Sequence, residues 1–126
     1  MKPRPLSPFM LGPYYRPQLT SMLSITHRAT GVVLGLAGAP LLLCWIIAVS
    51  RGPADLQSLY SCLGSWPGKL LSLVLIFSLC FHFCNGIRHL IWDTGHMLKI
   101  ESAYRAGWVV LAAALTGTVI LAGVML

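Results

Sequence analysis

A chain of 126 residues that is 56% hydrophobic and only 10% charged, with a mean hydropathy of +0.77, falls outside the soluble globular range and inside the membrane class. Its formal net charge of +6 points to no nucleic acid, because the basic residues flank apolar stretches instead of forming one patch. Three apolar stretches, residues 26–49, 70–92 and 104–125, use up the chain. They predict an all-α, integral membrane three-helix bundle in one domain, residues 1–126, with no separate soluble catalytic domain.

Residues 1–20 hold five of the eight prolines together with Tyr14 and Tyr15. This reads as an extended arm at the membrane interface, its tyrosines either belt aromatics or contacts for a soluble partner. The arm is too long, and the apolar run behind it too extended, for a cleaved signal peptide. The first helix is expected to begin near Thr20 to Ser24, where hydroxyl side chains can cap it. Ser21, Ser24, His27 and Arg28 open it, with Ser24 and Arg28 four apart on one face. Two readings stand for that pair. It is a cap with a snorkelling topogenic charge, or it is a set of donors for the carbonyl oxygens of a quinone.

Gly31 and Gly35, with Gly38 near the same face, admit a close neighbour, whether another helix or a flat macrocycle. Pro40 inside the span predicts a kink. The stretch 51–68 carries Gly52-Pro53 and Trp66-Pro67-Gly68 and reads as a loop with turns. The third span has no ionisable residue beyond Arg105 and reads as structural, with Gly107, Gly117 and Gly123 for packing.

The second span carries His82-Phe-Cys-Asn-Gly86-Ile-Arg88-His89-Leu-Ile-Trp-Asp93. Ionisable side chains inside an apolar helix are costly and mark function by default. His82, Gly86, His89 and Asp93 share one face. With about 1.5 Å of rise per residue, His82 lies near mid-membrane and Asp93 roughly 16 Å further along, at the water boundary. An imidazole at depth, a glycine beside it and cations at the edge suit a b-type haem, with His82 as axial ligand. His27 and His89 at the edge, with Arg28 and Arg88, suit its propionates. Asp93 is either an ion-pair partner of a neighbouring arginine or a proton relay to reduced quinone. His96 reads as a loop residue. No other span holds a mid-depth histidine, so a six-coordinate haem takes its second axial ligand from a partner chain.

Cys44, Cys80 and Cys84 read as small packing residues, with Cys62 in a loop. No C-x-x-C-H is present, which excludes covalent haem attachment. Seven of the nine Lys and Arg lie in the N-terminal segment or near the second loop, leaving Arg51 and Lys69 at the first loop. The positive-inside rule then puts the N-terminus inside and the C-terminus outside.

Two of these segments resemble a known family. Arg4-Pro-Leu-Ser-Pro8, followed by Leu19-Thr-Ser-Met-Leu-Ser24-Ile-Thr-His27-Arg28-Ala-Thr-Gly31, resembles the first signature of the cytochrome b anchor subunit of succinate dehydrogenase (complex II). The segment from His82 to Gly95 resembles the second. Phe9 departs from the pattern, where relatives often have histidine. The resemblance implies a haem b subunit that is not catalytic alone. It would pair with a smaller hydrophobic anchor and hold an iron–sulfur and a flavoprotein subunit, with electrons passing from succinate to ubiquinone. His82 matches the axial ligand, Ser24 and Arg28 the quinone-site residues, His27 and Arg28 the approach to the propionates, and Asp93 the nearby acidic residue. The implied location is the bacterial inner membrane or the mitochondrial inner membrane. A fumarate reductase anchor is the alternative within this fold, and a small non-redox ion-conducting membrane protein the alternative outside it.

Overall fold

The computed structural model describes residues 17–125, which are helical apart from short connections. Most of the proline-rich arm, with Phe9, Tyr14 and Tyr15, lies outside the described residues. Helix α1 (Leu19–Val33) starts on an extended Gln18 whose carbonyl accepts the Met22 N–H at 3.0 Å. No side chain caps it, contrary to the expected hydroxyl cap. Thr20, Ser21 and Ser24 are already inside the helix, so their hydroxyls lie past the position from which capping is possible.

Pro40 does not break the span. A π-helical turn, Leu34–Gly38, stands immediately before it, and the Ala39 N–H reaches back five residues to the Leu34 carbonyl. Proline has no N–H to give, and its ring crowds the carbonyl one turn back. A widened turn relieves that crowding, and the rod continues as α2 (Ala39–Arg51). Together the three pieces make one apolar span of 33 residues.

Gly52, at φ 116, ends α2, and Pro53 opens α3 (Pro53–Gly64). The expected loop therefore contains a helix of 12 residues. Gly-Pro is a turn signal, but proline's fixed φ also suits the first turn of a helix, and here that role prevails. Ser65 caps α4 (Trp66–Asp93): its Oγ accepts the Gly68 N–H at 3.3 Å and donates to the Cys62 carbonyl at 2.5 Å. A short connection with two positive φ values, Gly95 at 80 and Met97 at 59, turns the chain into α5 (Ile100–Met125). His96 sits in it as expected, beside the Thr94 hydroxyl at 2.9 Å.

Helix α4 is the centre of the bundle, with α5 and α1 packed on it. Leu23, Phe81, Val110 and Ala114 form the core between them. Small residues set the spacing. A Cβ at Gly107 would lie 2.8 Å from Leu23, so glycine lets α1 reach α5. Gly117 receives Cys80, whereas Gly123 meets nothing within 4 Å and does not pack as expected. Most large apolar side chains of the three spans point outward, as a lipid solvent requires. Among the described residues all four cysteines are free.

Candidate functional site

Helix α4 presents two functional faces. One, carrying His82, Gly86 and His89, lies against α1. The other, carrying Phe81, Asn85 and Arg88, is buried in the bundle. Cys80 falls on the α5 side, against Gly117, while His82 meets Gly31 of α1, so helical geometry turns these two side chains away from each other.

His82 is held in a defined orientation. Its ring stacks on His27 with centroids 3.9 Å apart and planes 12° from parallel. Its Nδ1 lies 3.0 Å from the His27 carbonyl oxygen and 3.3 Å from Thr30 Oγ1. A carbonyl only accepts, so the proton sits on Nδ1. The Thr30 hydroxyl donates to the Thr26 and His27 carbonyls, each at 2.9 Å, and therefore meets Nδ1–H as an acceptor. That assignment leaves Nε2 with its lone pair, and among the described residues nothing hydrogen-bonds it. This is the tautomer a metal needs, fixed by a backbone oxygen on the other ring nitrogen. Glycine at position 31 is required for the approach, since a Cβ there would lie 2.9 Å from His82 Cε1. At Gly86 an added Cβ would meet His27 Cε1 at 3.7 Å, an ordinary contact, so the approach of His27 to α4 does not depend on glycine there.

His27, expected at the membrane edge, is instead brought onto His82, because α1 crosses α4 at that level. His89 follows, tilted at 48° and 5.1 Å from His27, so the three imidazoles form a row. His27 Nδ1 is buried without a partner among the described residues.

Arg88 departs from the expected cluster. It is 3% exposed, with Nη1 donating to Asn85 Oδ1 at 3.3 Å and Nη2 to the Ala103 carbonyl at 3.2 Å. Asn85, fully buried, donates from Nδ2 to the Leu23 carbonyl at 3.4 Å. These bonds tie α1, α4 and α5 together. Arg88 belongs to the Phe81–Asn85 face for a simple reason of period: seven residues from Phe81 is two helical turns. Its guanidinium also lies 3.8 Å from the centroid of the Trp92 ring.

At the same end of the bundle a cavity of about 350 Å³ is lined by Ser21, Ser24, Arg28, His89 and Trp92. The structure thus brings Ser24, Arg28 and His89 together, next to the His27–His82 pair. Asp93 does not line this cavity. It is exposed, and among the described residues the one ion pair is Arg51–Asp55 at 3.9 Å, so Asp93 pairs with neither Arg28 nor Arg88.

Three residues of this region were not singled out from sequence: Thr30, Asn85 and Trp92. Asn85 carried a signal, being a polar side chain inside an apolar span like His82 itself. Thr30 lies three residues after His27 and so shares its side of the helix. Trp92 read only as the end of a span.

A family model described as succinate dehydrogenase/fumarate reductase transmembrane subunit matches residues 1–121. The succinate dehydrogenase cytochrome b556 subunit of Rickettsia prowazekii (strain Madrid E) is 36% identical over 118 residues, covering 94% of this chain and 90% of that protein. The mitochondrial succinate dehydrogenase cytochrome B subunit of Schizosaccharomyces pombe is 37% identical over 113 residues, 86% of this chain and 62% of that protein. The cytochrome b560 subunit of Reclinomonas americana is 34% identical over 126 residues, 93% and 83% of the two chains. With three apolar spans around a histidine-bearing central helix, and matches over nearly its whole length, the chain belongs to the succinate dehydrogenase/fumarate reductase transmembrane subunit family, as a cytochrome b membrane subunit of that oxidoreductase.

Proposed function

We propose that this chain binds haem b through His82 and forms part of the quinone-reduction site of a succinate:quinone oxidoreductase. In that complex it anchors the iron–sulfur and flavoprotein subunits beside a smaller hydrophobic anchor, in an inner membrane with the N-terminus inside. One observation carries the reading. His82 is an intramembrane imidazole whose Nδ1 is held by the His27 carbonyl and whose Nε2 has no protein partner among the described residues. In an apolar bundle an unpaired imidazole nitrogen is costly, and iron is a partner that removes the cost.

The residues present fit the group. Gly31 removes the one side chain that would push His82 aside. His27 Nδ1, buried and unpartnered, suits a propionate carboxylate, and Arg28 and His89 lie at the same end. Arg88 does not join them in this arrangement, because its guanidinium is engaged by Asn85 and Ala103. Haem b bound there supplies a one-electron carrier. A further ligand, if the iron takes one, would come from the partner anchor, since α5 has no histidine and the one other histidine at that level, His27, is stacked on the His82 ring itself.

Ser24 and Arg28 serve the quinone. Reduction places negative charge on the carbonyl oxygens, and a hydroxyl and a guanidinium lining one cavity can donate to them. A guanidinium offers only donors, so Arg28 acts by hydrogen bond and field, while protons arrive through water or Asp93. The relatives' names favour succinate oxidation over fumarate reduction.

The assay compares two acceptors in the assembled complex. Ser24→Ala and Arg28→Leu are expected to lower quinone reductase activity by about a hundredfold to a thousandfold, the range for losing a positioned donor. Succinate oxidation with a soluble artificial acceptor is expected to survive. Parallel loss of both activities, in proportion to lost assembly, contradicts the reading, as does loss of neither.

A further inference from the structure

Among the described residues three buried side-chain polar atoms lack a partner: His27 Nδ1, Arg88 Nε and Trp92 Nε1. All three lie at the end of the bundle that carries the cavity of Ser24 and Arg28. His27 is absorbed by the haem reading. Arg88 and Trp92 are not.

Arg88 is a buried cation whose hydrogen-bond partners, Asn85 and the Ala103 carbonyl, are both neutral. A buried charge without a counter-charge is expensive and raises the local potential for any anion that comes near. The guanidinium packs over the Trp92 ring, 3.8 Å from its centroid. Trp92 lines the cavity of Ser24, Arg28 and His89, whereas Arg88 does not reach it. The indole thus touches both, packing on the guanidinium and forming part of the cavity wall. His89 meets it edge-on, centroids 5.3 Å apart at 83°, and so limits its rotation. A flat side chain is thus held by the guanidinium on its ring and by an imidazole at right angles to it, in the wall of the cavity.

We propose that Trp92 is the packing wall for the quinone ring, and that Arg88 is a positioning residue whose charge, acting across the indole, stabilises the anionic intermediate of reduction. One electron from an iron–sulfur donor converts the quinone into a semiquinone radical anion. A second electron and two protons, one to each carbonyl oxygen, complete the quinol. A cation–π contact polarises the indole so that its far side is less repulsive to negative charge. Neutral quinone gains little from this, and the semiquinone gains most. The inference rests on the quinone-site reading above.

The test uses the assembled complex in membranes, with ubiquinone-2 as acceptor and the semiquinone radical followed by electron paramagnetic resonance during a redox titration. Ser24→Ala serves as the benchmark for the site itself. Trp92→Leu removes the wall and is expected to raise KM for ubiquinone-2 at least fivefold and to weaken the radical signal. Trp92→Phe keeps a ring and is expected to restore most of both. Arg88→Gln is expected to lower the maximal radical signal at least threefold with KM within twofold of wild type, and Arg88→Lys, which keeps the charge, to recover it. If Arg88→Gln fails to assemble, the Trp92→Leu and Trp92→Phe pair decides, since neither touches the Asn85 or Ala103 hydrogen bonds. Wild-type radical and KM in both Trp92→Leu and Arg88→Gln, with Ser24→Ala impaired, overturn this inference and leave the site reading standing. Wild-type behaviour in all of them overturns both.

Discussion

Gly31→Ala places one methyl group where the structure has no room for it. The added Cβ would lie 2.9 Å from His82 Cε1 and 3.4 Å from Nδ1, against ordinary contact beginning near 3.4 Å. The imidazole must retreat by about 0.5 Å to reach that contact. Its Nδ1 then stands about 3.5 Å from the His27 carbonyl instead of 3.0 Å, at the limit of a hydrogen bond. The loss of that bond costs about 1 kcal/mol. It also frees the ring to rotate and to change tautomer, and losses of this kind in the shell around a metal ligand lower metal affinity by roughly tenfold to a hundredfold. The expected outcome is a complex that assembles but retains haem about tenfold less tightly, with a shifted low-spin spectrum. Haem per complex, measured by pyridine haemochrome after detergent washing, reads this directly. Gly35→Ala is the control, because no atom lies within 4 Å of its added Cβ. Wild-type haem retention and an unshifted spectrum in Gly31→Ala would refute the seating of His82 against α1 as the basis of the site.

Asn85→Leu deletes the bonds to Leu23 and Arg88; the Leu23 carbonyl keeps its helical N–H partner, whereas Arg88 Nη1 is left without one in an apolar interior. At about 1–3 kcal/mol for that orphaned group, the melting temperature of the purified complex should fall by a few degrees, while Asn85→Gln should recover part of the loss. Reporter fusions at the C-terminus should be active only on the outer side of the membrane. Activity on the inner side would overturn the orientation drawn from the Lys and Arg distribution.

Much of this architecture was legible in the sequence because a bilayer leaves few choices. An apolar run long enough to cross it must be a helix, and the three runs became the three spans. The face shared by His82, Gly86 and His89 followed from the helical period alone. The lateral arrangement did not. Nothing in the spacing of α4 says that His27 stacks on His82, since that depends on where α1 crosses it. Arg88 shares the membrane-edge depth of His89, which groups the two by depth alone, yet adjacent residues on a helix point about 100° apart, and Arg88 turns into the bundle. Helix α3 was obscured by Gly52-Pro53, a pair that signals a turn and a helix start equally well. The π turn ahead of Pro40 has another cause: proline donates no bond of either kind and crowds the carbonyl a turn back, and the residue before it, Ala39, makes the wider bond to Leu34.

The whole proposed site turns on His82 carrying a haem b in the membrane complex. The most direct measurement is the reduced-minus-oxidised optical spectrum of the complex purified with wild-type chain, with His82→Leu and with His96→Leu. A b-type α band is expected in the wild type, the same band in His96→Leu, and its loss or strong alteration in His82→Leu. An unchanged band in His82→Leu would contradict it.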